Sequence, residues 1–276
     1  MIAQAHQRTV RDERAITDAG DNLFGAWWQG LDIDIKKADV RPVSYRTARH
    51  IIEDYEWMGC MAACTSHSFG IFFDGACGGV VCFGPEYSEN LGIVAREQGR
   101  KCADWSKYGF EGKMILLNRG ACVHWAHPHA ASKLITSAIK MLPPQYKVIT
   151  ATVDDLAGEV GTIYQACNFH YVGSMRDANA NVSSSKGDRD AWLIDGKLYG
   201  SRAMRQKLGG TSKAAAIQKR FPGALKVKQN SKEGQQWVTI TGQTWSSPCF
   251  AGCCSRYLLR SASFASCTLS AANPSG

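Results

Sequence analysis

The sequence predicts a mixed α/β fold, in which one sheet carries helices on both faces in a three-layer αβα arrangement. The chain has 276 residues, enough to bury a full core, and its 45% hydrophobic and 20% charged residues are typical of globular proteins. Strand-like and helix-like patterns alternate through residues 40–175. No apolar run reaches the roughly 18 residues of a membrane span, and the start of the chain lacks a secretory apolar segment. We therefore expect a cytoplasmic protein.

The first predicted elements are a helix and a hairpin. Ser44 is a candidate N-cap, and apolar residues follow it at helical spacing: Ala48, Ile51, Ile52, Tyr55 and Met58. Two strand-like runs, residues 69–73 and 79–83, flank the dipeptide Asp74-Gly75, which is a strong signal for a tight hairpin turn.

The following elements alternate. Residues 114–117 read as a buried strand, and Pro128 is predicted to open a helix because its missing N–H costs nothing there. An apolar face supports this helix: Leu134, Ile135, Ala138, Ile139 and Leu142. The β-branched run 147–153 predicts a central strand, which a short helix over 161–167 and a strand over 169–172 follow.

Composition divides the chain into four zones. Residues 1–39 form a poorly specified extension, 40–175 a core of alternating strands and helices, 176–242 a basic extension that packs on the core, and 243–276 a Ser/Ala/Cys-rich tail to which we assign no structure.

The charge distribution favours a polyanionic partner. Between residues 197 and 232 there are ten Lys or Arg residues and no Asp or Glu, in a chain of net charge +8. Such a segment favours double-stranded DNA, which releases counterions on binding, over the alternative of a merely solvated surface. The candidate DNA-binding residues are Arg202, Arg205, Lys207, Lys213, Lys219 and Arg220.

The 11 cysteines are odd in number and scattered, and several lie in apolar runs. We interpret them as free thiols in a reducing compartment. Cys60, Cys64 and His67 have the spacing of a partial metal site, but no second ligand pair stands at zinc spacing, so a packing role is favoured.

Two segments could carry chemistry. The turn over 122–132 precedes a helix, whose unpaired N–H groups suit phosphate, and Ala130, Ala131 and Ser132 are small enough to admit a cofactor. Three histidines in this turn suit either a metal or an exposed loop. Asp154 ends a predicted central strand, where α/β sheets place ligands, although a turn or N-cap role is the alternative, and Asp155 fits that role better.

The segment 161–173 resembles the corresponding part of the GCN5-related N-acetyltransferase fold, with Tyr164 in a short helix before a strand. Together with residues 55–59, 73–75 and 80–84, it resembles the Mom family of phage DNA-modification proteins over roughly residues 40–242. The resemblance implies an enzyme that converts adenine in DNA to N6-(methylcarbamoyl)adenine and so protects phage DNA from restriction.

The resemblance also implies the site. Asp154, Tyr164, Arg119, Ser132 and Tyr55 become the candidate catalytic residues. Acetyl-CoA or a related acyl donor, and an iron ion, are the implied cofactors. Where the family leads us to expect a His-Tyr pair, this chain has Glu56 followed by a tryptophan, which argues against a metal role for that segment.

An adenine amine in a duplex must be flipped out before it can react. Trp57, Trp125 and Tyr171 are candidates to stack on the flipped base, with a core position as the alternative for each. Simple acetyl transfer supplies no nitrogen, so it cannot by itself make a methylcarbamoyl group. The rival functions are an ordinary CoA-dependent N-acetyltransferase acting on a small amine or protein, and a non-catalytic DNA-binding protein with this fold.

Overall fold

The computed structural model describes residues 5–20, 26–85, 113–154, 157–174, 189–210, 213–229 and 234–240. The strands are β1 (Asp39–Pro42), β2 (His67–Phe73), β3 (Ala76–Pro85), β4 (Lys113–Cys122), β5 (Tyr146–Asp154), β6 (His170–Ser174), β7 (Arg189–Ile194), β8 (Lys197–Tyr199), β9 (Leu225–Gln229) and β10 (Gly234–Ile240). The α-helices are α1 (His6–Gly20), α2 (Tyr45–Tyr55), α3 (Ala130–Met141), α4 (Thr162–Ala166), α5 (Ser201–Lys207) and α6 (Ala214–Arg220), and a 3₁₀ helix covers Trp27–Gly30.

The main sheet has seven strands in the order β1-β2-β3-β4-β5-β10-β6. Its pairs are antiparallel except for β4 and β5, which run parallel and are connected through α3. A parallel pair needs such a crossover, because a tight hairpin can join only antiparallel strands. The predicted mixed α/β fold is confirmed.

Both faces of the sheet are covered. Val80, Val81, Cys82 and Phe83 follow one another along β3, and each is at most 1% exposed. Successive strand residues point to opposite faces, so protein must cover both sides of β3. Helices α2 and α3 both pack on this strand.

The predicted N-cap and hairpin turn are confirmed, and the predicted start of a helix at Pro128 is wrong by two residues. The hydroxyl of Ser44 accepts the N–H of Thr47 and caps α2. Asp74 and Gly75 have φ angles of 47° and 81°, as a tight hairpin turn requires. Pro128 does not open α3: it lies in a turn, and the helix begins at Ala130, because the preceding turn folds back on itself.

The segment before residue 40, for which the sequence predicts no defined structure, contains α1 and the 3₁₀ helix. Side chains of α1 bond to distant parts of the chain, as when Arg11 donates to the carbonyl oxygen of His124. Lys197 forms a 2.7 Å ion pair with Glu13. The order of α1 therefore depends on polar tertiary contacts, for which hydrophobic periodicity gives no signal.

The predicted basic extension contributes to both sheets. Strands β8, β7 and β9 form a second sheet in that order, and with α5 and α6 they enclose a separate core that includes Trp192, Met204 and Ile217. Strand β10 then enters the main sheet between β5 and β6. The sheet of the predicted core is therefore completed by a strand beyond residue 175.

Three sequence-based predictions lie outside the described residues: the tail 243–276, the role of Asp155 and most of the polar loop 176–189. Among the helices that the structure describes, none is both long enough and apolar enough to cross a membrane.

Candidate functional site

Arg119 joins three parts of the fold near the end of β4. Its guanidinium group donates hydrogen bonds to the carbonyl oxygens of Cys60 (2.8 Å) and Asn118 (2.6 Å) and to the side-chain oxygen of Gln206 on α5 (2.9 Å). Its Nη2 also contacts Met58 Sδ at 3.8 Å. Arg119 is only 8% exposed, so it provides a fixed positive charge inside the protein.

Glu56 lies beside this arginine, immediately after α2. It is 7% exposed, and its Oε2 accepts the backbone N–H groups of Met58 (2.9 Å) and Gly59 (3.1 Å). Burial raises the pKa of Glu56 to about 7, against the lowering effect of Arg119 and with a further increase from Glu159. Glu56 can therefore exchange a proton near neutral pH.

Glu159 is a second carboxyl group of the same kind. Its Oε2 accepts the backbone N–H of Asp154 at 3.2 Å, and the side chain of Trp57 hydrogen-bonds to it. Burial raises the pKa of Glu159 to about 7 as well. Two coupled carboxyl groups with such pKa values can hold and pass a proton at neutral pH.

Tyr164 lies on α4, next to the two glutamates. Burial raises the pKa of its phenol, and the negative charge of Glu159 raises it further. Its ring packs against Phe169 at 5.3 Å between centroids. The hydroxyl of Tyr164 therefore remains protonated and can act as a proton donor.

Asp154 ends β5, as the sequence predicts, and its main chain binds Glu159 in both directions. Besides donating its N–H, it accepts the N–H of Glu159 at 3.3 Å. Its charge also raises the pKa of Glu159. Of the residues predicted as catalytic, the structure brings Arg119, Asp154 and Tyr164 together.

The sequence analysis missed Glu159 and set Glu56 aside. Glu159 follows the end of a central strand and lies between Gly158 and Gly161, which have φ angles of 72° and 71°. An acidic residue between two glycines at a strand end is a usable signal, because the glycines permit the tight return that turns the carboxylate inward.

Tyr55 enters a different cluster. Its hydroxyl donates to Asp18 on α1 at 3.0 Å, and its ring stacks on His124 at 6.2 Å. Arg14 lies over the same ring and pairs with Asp18 at 3.2 Å. The structure therefore separates Tyr55 from Arg119 and Tyr164.

Ser132, at the start of α3, makes contacts within its own turn and to α4. The hydroxyl of Ser132 donates to the carbonyl oxygen of His129 at 3.0 Å, and the main-chain oxygen of Ser132 accepts the thiol of Cys167 at 3.7 Å. Ala130 is buried, and Ala131 is partly buried. In the described part of the chain, Ser132 therefore supports its own turn and the packing of α3 on α4.

The family model of the Mom protein family matches residues 37–226. The chain belongs to the Mom family. The two glutamates, Arg119, Asp154 and Tyr164 all lie within the matched residues.

The chain is also similar to solved structures of acetyltransferases. An IAA acetyltransferase from Bacillus cereus is 7% identical, with a TM-score of 0.38 over 74% of this chain and 99% of that one. NAA60 of Arabidopsis thaliana, in complex with acetyl-CoA, is 11% identical, with a TM-score of 0.38 over 75% and 99%. An N-acetyltransferase from Staphylococcus aureus is 10% identical, with a TM-score of 0.36 over 74% and 98%. A search of curated proteins found no match.

The donor set does not fit the iron ion that the Mom family resemblance implied. No group of three or more His, Cys, Asp or Glu residues in the described ranges is arranged to hold a metal. Glu56 already accepts two backbone N–H groups through the same oxygen. Cys60, Cys64 and His67 form no such group either.

The predicted stacking residues differ in exposure. Trp57 is 6% exposed and packs against Tyr199 in the second core, so it occupies a core position, the alternative that the sequence left open. Trp125 is partly buried, with its ring at 6.3 Å from that of Phe73. Tyr171 on β6 is 39% exposed, which makes it the most accessible of the three.

The predicted DNA-binding residues fall into two groups. Those with exposed side chains are Arg205, Lys213, Lys219 and Arg220, while Arg202 is placed on α5 without a described side chain. Lys207 differs, because its ammonium group is half-buried and donates to the carbonyl oxygen of Met58 at 3.0 Å. Burial lowers the pKa of Lys207. Because its ammonium group bonds to Met58, this residue supports the loop that carries Glu56.

Proposed function

We propose that this chain is a phage DNA-modification enzyme that acts on the exocyclic amine of adenine in double-stranded DNA and forms N6-(methylcarbamoyl)adenine. One observation carries the proposal: the coupled carboxyl groups of Glu56 and Glu159 lie with Arg119 and Tyr164 inside the residues matched by the Mom family. This arrangement suits the transfer of an acyl group to a weakly nucleophilic amine.

Each residue then has a distinct part. The amine nitrogen forms a bond to the acyl carbon, and its proton passes to the carboxylate of Glu159 or Glu56, each of which has a pKa of about 7. Tyr164 gives its proton to the departing sulfur. Arg119 keeps the two carboxyl groups partly ionised by opposing the effect of burial on their pKa values.

An acyl-CoA-type donor supplies a carbonyl group activated by its bond to sulfur. Its phosphates would lie at the start of α3 beside Ala131 and Ser132, where buried Ala130 opens the helix. The nitrogen of the methylcarbamoyl group is not part of an acetyl donor. Ammonia or an amide could place a nitrogen between the methyl and carbonyl groups only with the loss of two electrons. The group bound to sulfur must therefore already be methylcarbamoyl when the adenine amine attacks it.

The direct test is to produce the full chain in bacteria, digest the cellular DNA to nucleosides and measure their masses. We expect an adenosine species heavier by a methylcarbamoyl group. A species heavier by an acetyl group would overturn the methylcarbamoyl chemistry. Unmodified adenosine from folded protein would overturn the proposed function and favour a non-catalytic DNA-binding protein or an acetyltransferase with another substrate.

Site variants have matched controls in the same chain. Glu159→Gln, Tyr164→Phe and Asp154→Ala should each reduce modification by about 100-fold or more. Glu53→Gln and Tyr45→Phe make the same chemical changes on the exposed surface of α2 and should leave modification unchanged. Full activity in both Glu159→Gln and Tyr164→Phe would remove the proposed site.

The DNA partner is tested separately. The double variant Lys219→Gln/Arg220→Gln removes two exposed charges and should weaken DNA binding and reduce its dependence on salt. Lys36→Gln/Lys140→Gln makes an equal change in charge outside the basic segment. Equal affinity in the two double variants would contradict a DNA surface at residues 197–232.

A further inference from the structure

Residues 5–7, at the start of α1, contact the chain neighbours of both glutamates of the site. This segment comes before residues 37–226, which the Mom family model matches, so the family match does not account for it. Three residues, Ala5, His6 and Gln7, make the contacts that matter.

Gln7 binds the main chain on each side of Glu56. Its Nε2 donates to the carbonyl oxygen of Tyr55 at 2.6 Å, and its Oε1 accepts the N–H of Trp57 at 3.1 Å. These two groups belong to the peptide bonds that precede and follow Glu56. The side-chain amide of Gln7 therefore binds the peptide groups on both sides of Glu56 and fixes the backbone position of this residue.

His6 and Ala5 contact two residues that adjoin Glu159, in space or along the chain. The ring of His6 packs edge-on against Trp57 at 5.5 Å, and the side chain of Trp57 hydrogen-bonds to Glu159. Ala5 lies against Gly158, the residue before Glu159: a Cβ added to this glycine would lie 3.1 Å from the Cα of Ala5.

The same helix start is anchored to the second sheet. Nε2 of His6 accepts the N–H of Leu198 on β8 at 3.3 Å, and His6 is itself buried. The segment therefore connects the loop that carries Glu56, the turn that carries Glu159 and the sheet formed by β8, β7 and β9.

We propose that residues 5–7 position the paired carboxyl groups of the site, with Gln7 as the positioning residue for Glu56. The catalytic consequence rests on the proposed function, whereas the positioning itself does not. Gln7 touches neither substrate nor reacting atoms. It acts through the backbone of residues 55–57.

The consequence for Glu56 follows from its surroundings. Several ionisable groups act on it from the packed elements around it: Arg119 on β4, Glu159 before α4, Tyr164 on α4, Tyr199 on β8, Lys207 on α5 and Cys60 in its own loop. If the backbone on either side is released, Glu56 gains water and its pKa falls toward the ordinary value.

The test uses the full chain and the variant Gln7→Met, which keeps the side-chain length and removes both hydrogen bonds. Arg8→Met is the matched control, because Arg8 is the next residue of the same helix and is exposed. Carbon-13 NMR follows the titration of the Glu56 carboxyl group, and hydrogen exchange follows the amide of Trp57. Both readouts are independent of enzyme activity.

We expect Gln7→Met to move the Glu56 titration toward more acidic pH and to speed exchange of the Trp57 amide by about tenfold. The modification rate should fall, and the acidic limb of its pH profile should move with the carboxyl titration. Arg8→Met should resemble the unchanged protein in every measurement. A folded Gln7→Met protein with an unmoved Glu56 titration and an equally protected Trp57 amide overturns the proposal.

The unchanged protein provides an independent test if Gln7→Met does not fold. Rapid exchange of the Trp57 amide in the native chain would also overturn the proposal, since that N–H is bound by Gln7. Absence of any DNA modification by the unchanged protein would overturn the proposed function alone, and the titration and exchange would still decide the role of Gln7.

Discussion

Tyr55 and Glu56 are neighbours in the chain, yet their side chains enter two clusters of different kinds. The Tyr55 cluster comprises Asp18, Arg14 and His124, and its carboxylate is paired with a guanidinium group and a phenol. The Glu56 cluster contains two carboxyl groups with pKa values raised to about 7. The first arrangement is typical of a structural network, and the second can take up and release protons at neutral pH.

The difference comes from how each cluster balances its charge. In the Tyr55 cluster, the side chains of Arg14 and Asp18 are 37% and 17% exposed, so water also solvates these two charges. In the Glu56 cluster, one buried guanidinium group serves two carboxyl groups and also bonds to two main-chain oxygens. Because one guanidinium group cannot balance the charges of two buried carboxylates, these carboxyl groups bind and release protons near neutral pH.

The largest expected effect is that of removing Arg119. Arg119→Met leaves the oxygens of Cys60 and Asn118 without their donor and should lower the free energy of unfolding by about 3 kcal/mol. It should also raise the pKa of both glutamates further. Arg14→Met, the counterpart in the Tyr55 cluster, should cost about 1 kcal/mol or less. Urea unfolding of the two variants measures the difference. Equal losses of unfolding free energy would contradict the proposed difference between the two clusters.

The pH dependence of stability should come from the Glu56 cluster. The unfolded state releases the Glu56 proton near pH 4.5, and the folded state releases it near pH 7. The free energy of unfolding should therefore decrease as the pH rises from 4.5 to 7, by about 3 kcal/mol at most. Below pH 4.5 and above pH 7 this contribution is constant. Glu56→Gln should flatten the decline, as denaturation at several pH values would reveal. An unchanged slope would mean that Glu56 does not titrate in this range.

Tyr55→Phe separates the two clusters by activity. The variant loses the hydrogen bonds of the Tyr55 hydroxyl with Asp18 and Arg14, so the free energy of unfolding should fall by about 1 kcal/mol. DNA modification should persist, in contrast to Tyr164→Phe, when both variants are compared by nucleoside mass spectrometry. Loss of modification in stable Tyr55→Phe protein would return Tyr55 to the catalytic residues.

The smallest effect is expected for Ser132→Ala. Its hydroxyl bonds to a carbonyl oxygen within its own turn, so the loss should be about 0.5 kcal/mol in thermal unfolding. Modification at saturating donor should be nearly unchanged. A large fall in the maximal rate would show that Ser132 acts on the reacting groups.

Much of the local structure follows from short sequence signals. Asp74-Gly75 predicts its hairpin because few other residues tolerate two positive φ angles, and Ser44 predicts the start of α2 because its hydroxyl replaces a missing bond. Glu159 was not predicted, although the glycines on either side of it are a usable local signal, because its hydrogen bond from a distant tryptophan forms only in the folded chain.

By itself, the sequence determined the order of strands and helices through 40–175, the membership of Arg119, Asp154 and Tyr164 in one candidate site through a family resemblance, and the concentration of positive charge beyond residue 197. Only the tertiary structure decided that β10 completes the main sheet, that Lys207 turns inward, and that Gln7 holds the loop of Glu56. The physical reason is the separation along the chain of the residues that interact. Periodicity and capping depend on residues a few positions apart, whereas the pKa of a buried carboxyl group depends on every part of the chain that displaces water around it.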